Sequence, residues 1–201
     1  FRVAATNARE AGFDGIELHA ANGYLLDQFL RSGSNQRTDQ WGGSVANRAR
    51  LLLDVIEATV AVWGPGRVGV RLSPFNSYNA MHDDAPLTTF PDVAALLDTQ
   101  ALAYLHINYG GGSPEDRARM QRELAEVLRN QRDQAGVVRA RRHFREPYLV
   151  ALHEQLHTEQ PPSAEIVGDD LRDVLRARQR ARRHRLRLPA FAIIAVALQM
   201  T

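Results

Sequence analysis

The chain has 201 residues, 44% of them hydrophobic, enough for one globular domain with a real core. It contains no cysteine, which excludes disulfides, thiolate metal sites, a cysteine nucleophile and clustered iron–sulfur ligands. All 25 basic residues are arginine, against 23 acidic ones, and they are unevenly spread: eight precede Gly112 and 17 lie between Arg117 and Arg187. Such a shift in charge density marks a boundary along a chain.

Taken in order, residues 2–11 have a helical pattern that Gly12 would stop. The chain opens into this helix without an initiator methionine and is expected to begin inside a domain. Residues 13–18 read as the approach to a short buried strand, 16–19, followed at once by His19, Asn22 and Tyr24. A polar stretch, 31–43, rich in Gly, Ser, Asn and Thr, favours irregular backbone. Ser44 can cap the next helix, in which Val45, Leu52, Val55, Ile56, Thr59 and Val60 recur at helical spacing. Gly64, Pro65 and Gly66 end it. A second, largely apolar strand spans 68–72, a helix 90–99 and a third strand 103–107. Strand and helix alternate at the spacing of right-handed βαβ units.

The spacing His-x-x-Asn-x-Tyr crowds three polar groups at the carboxyl end of a strand, which is where α/β barrels do their chemistry. On its own the motif is more often a hydrogen-bonded loop with a core histidine. The residues that follow add specificity: Ser34, Asn35, Gln36, Arg37, Thr38 and Asp39, then Trp41, Gly42, Gly43 and Ser44, then Asn47 and Arg48, and finally Gly69, Val70, Arg71, Leu72, Ser73 and Pro74. This succession resembles the old yellow enzyme family of flavin-dependent ene-reductases, and most of all its bacterial alkene reductase and N-ethylmaleimide reductase branch, over residues 1–108.

The resemblance implies a (β/α)8 barrel, of which this chain would hold about three central βα units. It implies FMN, reduced by NADH or NADPH and used to reduce the C=C bond of α,β-unsaturated carbonyl compounds. On the matching positions, His19 and Asn22 correspond to the pair that binds the carbonyl oxygen, Tyr24 to the proton donor, and Arg71 to the arginine beside the flavin ring. A phenol of ordinary acidity carries its proton at neutral pH and can serve as that acid. Arg37, Asp39, Asn47 and Arg48 are expected to anchor the long loop, and His106 to be a hydrogen-bonded core histidine.

Beyond Gly110, Gly111 and Gly112 the family pattern stops. Residues 113–134 can form an exposed helix with Pro114 in its first turn and Glu115 and Asp116 near its amino end. The expected division is therefore a partial barrel, 1–110, and an Arg-rich, mainly helical or disordered region, 111–201. Only Gly136 and Gly168 occur after Gly112, too few for a Gly-rich phosphate site, so the chain as it stands is expected to be an inactive fragment that binds FMN poorly. A changed reading frame in a GC-rich gene, whose out-of-frame product is rich in Arg, Ala and Pro, would account for the break. The alternative is a non-catalytic fragment whose Arg-rich region binds nucleic acid through phosphate contacts or stays disordered. Against nucleic acid, only Phe144, Tyr148 and Phe191 are aromatic there. His143, His153, His157 and His184 lack a metal-ligand spacing. The apolar run 188–200 covers 13 residues, short of the roughly 20 that span a membrane, so no membrane partner and a cytoplasmic location are expected.

Overall fold

The computed structural model describes residues 1–135 and 191–194. The order of elements is α1 (Arg2–Glu10), β1 (Gly15–Ala20), α2 (Leu25–Leu30), α3 (Val45–Trp63), β2 (Val68–Leu72), a 3₁₀ turn (Tyr78–Ala80), α4 (Pro86–Asp98), β3 (Tyr104–Ile107), α5 (Pro114–Ala135) and β4 (Phe191–Ile194). The four strands form one parallel sheet in the order β3-β2-β1-β4.

Local chemistry explains the boundaries. Gly12 takes a left-handed φ of 79° just past α1 and lets the chain turn into β1. The Ser44 hydroxyl accepts the Asn47 N–H at 3.3 Å and caps α3. Gly64, with φ of 80°, ends it. Helix α4 begins at Pro86, four residues before the position that periodicity suggests, because a proline at the first helical position has no N–H to leave unpaired.

One face of the sheet carries Ile16, Leu18, Ala20, Val68, Val70 and Leu72, all fully buried beneath the helices with Leu52, Ile56, Phe90 and Val93. The opposite face carries Glu17, His19, Arg71, Tyr104 and His106. Parallel strands buried on both sides are usually apolar throughout, so this polar face is the fold's unusual feature.

Two expectations are corrected. The sheet has four strands among the described residues, where about three are expected: β4 lies within the apolar run at 188–200 and pairs parallel with β1. The helix expected to be exposed, α5, packs on α4 and buries Met120 and Leu124. Met120, Leu124 and Val127 recur at i, i+4 and i+7, an apolar stripe that the surrounding charges disguise. The arginine-dense stretches after α5, the four later histidines and the nucleic-acid and reading-frame expectations lie outside the described residues. No helix among the described residues is long and apolar enough to cross a membrane.

Candidate active site

The strand register assembles a layer of polar side chains at the carboxyl ends of three neighbouring strands. His19 on β1 is paired with Arg71 on β2, and Arg71 with His106 on β3. One row below, Glu17 is paired with Gly69, and Gly69 with Tyr104. Gly69 makes room for it: a Cβ at this position would come within 2.4 Å of the Tyr104 ring and force the ring to shift. The ring leans over Gly69 and its hydroxyl reaches the Glu17 carboxylate, which also takes a 3.1 Å hydrogen bond from His106 Nδ1. Burial works against the Glu17 charge, but His106, Tyr104 and Arg71 outweigh it and hold its carboxyl below the ordinary carboxylate range.

Above this braced row, hydrogen-bonding capacity is left over. His19 is 6% exposed, and neither of its ring nitrogens has a partner; nor has the buried Nε of Arg71. Buried polar atoms are nearly always paired, so each such group calls for an explanation. Burial, and then the Arg71 charge, lower the His19 pKa to about 4, so the imidazole is neutral at neutral pH. A neutral ring keeps one N–H to donate. Tyr24, at the amino end of α2, lies against it with ring centroids 5.2 Å apart and the planes tilted by 59°.

Asn22 completes the cluster from a left-handed backbone position, φ of 56°, which asparagine tolerates better than most residues. Its N–H donates to the Ser73 hydroxyl at 2.8 Å, its Oδ1 accepts from Asn76 Nδ2 at 2.8 Å, and its carbonyl accepts from Asn79 Nδ2 at 3.0 Å. The loop after β2 therefore grips the loop after β1 at three points. A buried ion pair reinforces the junction: Arg31 Nε donates to Asp27 Oδ1 at 2.8 Å, and the same guanidinium donates to the carbonyls of Ser73 and Pro74 and lies 5.1 Å from the Phe90 ring centre. Asp27 in turn accepts the Gly23 N–H at 2.9 Å.

The structure thus brings His19, Asn22, Tyr24 and Arg71 to one mouth. Sequence reasoning missed Glu17, Tyr104, Ser73, Asn76, Asn79 and the Asp27–Arg31 pair. Two of these carry a readable signal: Glu17 is two residues from His19 and so on the same strand face, and Asp27 and Arg31 stand at i, i+4. His106 is hydrogen-bonded to Glu17, but with its side chain 28% exposed it lies at the edge of the core and not within it. Arg48 is buried and ties the long loop down through the carbonyls of Leu30 and Gly43, at 2.7 and 2.6 Å, and through Thr89. Asn47 Nδ2 holds Gly42, and Arg37 pairs with Asp39 on the surface. No cluster of three metal-ligating side chains occurs among the described residues.

The family model described as NADH:flavin oxidoreductase / NADH oxidase matches residues 1–110, more than half of the chain. The chain belongs to this family. The matched residues include every member of the cluster at the mouth. Among relatives of this flavin oxidoreductase family, 12-oxophytodienoate reductase 2 of Arabidopsis thaliana is 46% identical over 107 residues, 53% of this chain and 29% of its own length. Among solved structures, morphinone reductase in complex with tetrahydroNAD is 46% identical with a TM-score of 0.55, over 61% of this chain and 34% of that one. The old yellow enzyme homologue of Zymomonas mobilis is 38% identical with a TM-score of 0.58, over 63% and 37%. The chain spans about a third of the length of the relatives it matches.

Proposed function

We propose that residues 1–110 carry the carbonyl-binding and proton-donating part of an FMN-dependent ene-reductase, which takes electrons from NADH or NADPH and reduces the C=C bond of α,β-unsaturated carbonyl compounds. The observation that carries this reading is that both ring nitrogens of His19 and the Nε of Arg71 are buried and unpaired at the carboxyl ends of adjacent strands. These groups fit a ligand with an electron-rich edge and a carbonyl oxygen. FMN, when bound, would supply the electrons for reducing the double bond.

The chain's own residues then have distinct tasks. The neutral His19 ring and the Asn22 amide donate to the carbonyl oxygen as negative charge builds there. Donors aimed in advance at developing charge, in a site poor in water, contribute a few kcal/mol each. Tyr24 holds the proton destined for the α-carbon. Arg71 sets a fixed positive charge beside the flavin ring, which is how a protein tunes a cofactor's electronics. The Glu17–His106–Tyr104 row holds the floor of the site in place.

The test is a chimera in which residues 1–110 replace the aligned segment of the Zymomonas mobilis homologue. It should bind FMN and reduce cyclohexenone with a nicotinamide cofactor. Tyr24→Phe in this chimera should leave reduction by the nicotinamide unchanged and slow oxidation by the enone about 10²–10⁴-fold, the usual loss for a positioned acid. A flavin-loaded chimera that ignores the enone would overturn the reading, and equal slowing of both half-reactions would remove Tyr24 from the proton-donating role.

A further inference from the structure

Whether Asn22 can bind a carbonyl oxygen depends on which end of its amide faces the ligand, since Oδ1 accepts and Nδ2 donates. The loop after β2 decides this through a chain of donors with one unambiguous end. The Tyr78 backbone N–H can only donate, and it donates to the Asn76 side chain at 2.7 Å, so that atom is Oδ1. The other arm of the Asn76 amide is therefore Nδ2, and it donates at 2.8 Å to the Asn22 side chain, so the atom it meets there is Asn22 Oδ1. With Oδ1 turned to Asn76, the Asn22 NH2 is the arm left to meet a ligand oxygen. The Asn22 backbone cannot relax this arrangement, since its N–H is held by Ser73 and its carbonyl by Asn79.

We propose that Asn76 is a positioning residue that makes Asn22 an obligate hydrogen-bond donor toward the substrate. The inference rests on the proposed role of Asn22 in binding the carbonyl oxygen. Asn76 does not itself touch the substrate; it acts by occupying the one Asn22 atom that would repel an oxyanion. The substitution that reverses the polarity at nearly constant shape is Asn76→Asp. One carboxylate oxygen still accepts from Tyr78, while the other now faces Asn22 as an acceptor. The Asn22 amide turns over to donate to it and presents Oδ1 to the ligand.

The first measurement uses the 15N-labelled 201-residue chain without ligand. The Asn22 side-chain amide signals are those absent in Asn22→Asp. In Asn76→Asp one of them should move downfield and exchange with solvent about tenfold or more slowly, as expected for a new hydrogen bond to a charged acceptor. In Asn76→Leu the Tyr78 amide should lose its protection while the Asn22 signals gain none. Unchanged Asn22 signals in a folded Asn76→Asp chain, or a Tyr78 amide still protected in Asn76→Leu, would overturn the proposal. The second measurement is binding of p-hydroxybenzaldehyde to the flavin-loaded chimera, where Asn76→Asp should weaken affinity about tenfold or more. A turned-over amide with unchanged phenol affinity would leave the role of Asn76 standing and remove Asn22 from the carbonyl-binding site.

Discussion

His19 shows how one residue's setting converts an ordinary side chain into a tuned one. An exposed imidazole would be partly protonated near neutrality, but burial beside Arg71 lowers its pKa from 6.5 to about 4. The sign of the resulting pH effect follows from where the proton binds. Between pH 6.5 and 4 the unfolded chain takes up a proton that the folded chain refuses, so acidification through this window destabilises the fold, and the effect vanishes above it. Integrating over the shift, the chain should lose about 2 kcal/mol between pH 7 and pH 5 on this account alone. Urea denaturation of the native chain and of His19→Gln at both pH values measures it, because the variant lacks the titrating ring. Equal losses in the two proteins would mean that His19 is more accessible than its 6% exposure implies.

Among the connecting elements, the contact between the two loops at the mouth matters most. Gly23 has φ of 76°, and a Cβ there would come within 2.6 Å of Asn79 Cβ and 2.9 Å of Met81 Cγ and the Tyr78 carbonyl. The missing side chain lets the loop after β2 sit directly on the turn that presents Asn22. Gly23→Ala should cost about 2–4 kcal/mol, combining left-handed strain with overpacking against backbone. Chemical denaturation gives this number, and a loss below about 0.5 kcal/mol would show that the loop swings away at little cost. The Asp27–Arg31 pair serves the same junction from beneath, by tying α2 to the end of β2. A charge pair this deeply buried contributes geometry more surely than net stability. Its arrangement, with one arginine spanning a carboxylate and two carbonyls, is that of a strut.

At the scale of the whole molecule, the residues at the mouth and the barrel around them are separable. A (β/α)8 barrel closes with eight strands and commonly grips a cofactor phosphate at the mouth of its last two. The described sheet has four strands, in the order β3-β2-β1-β4, and the edges of an unclosed sheet carry unpaired backbone groups. Arg71 alone would contact one edge of a flavin ring, too little to offset the freedom a ligand loses on binding. The 201-residue chain should therefore bind FMN weakly, and titration followed by flavin fluorescence checks it. Saturation at micromolar concentrations or tighter would mean that residues outside the described set complete the site.

Much of this protein is determined by local sequence. The alternation of aliphatic residues in β1 and β2, the Ser44 cap, the Gly12 and Gly64 stops and the succession of motifs from His19 to Pro74 all act over a few residues, so they can be read along the chain. The same motifs mark His19, Asn22, Tyr24 and Arg71 as candidates without reference to any long-range contact. What depended on tertiary structure involves partners far apart in sequence. Glu17 becomes a brace only because β3 brings Tyr104 and His106 to it across β2. Asn76 bears on Asn22 only because the chain folds back across a separation of 54 positions to set the two amides 2.8 Å apart. Strand β4 joins β1 although 170 residues lie between them, because the open edge of β1 offers unpaired backbone groups to an extended segment in register. Helix α5 buries Met120 and Leu124 because α4 packs against the apolar stripe that the charges of α5 disguise.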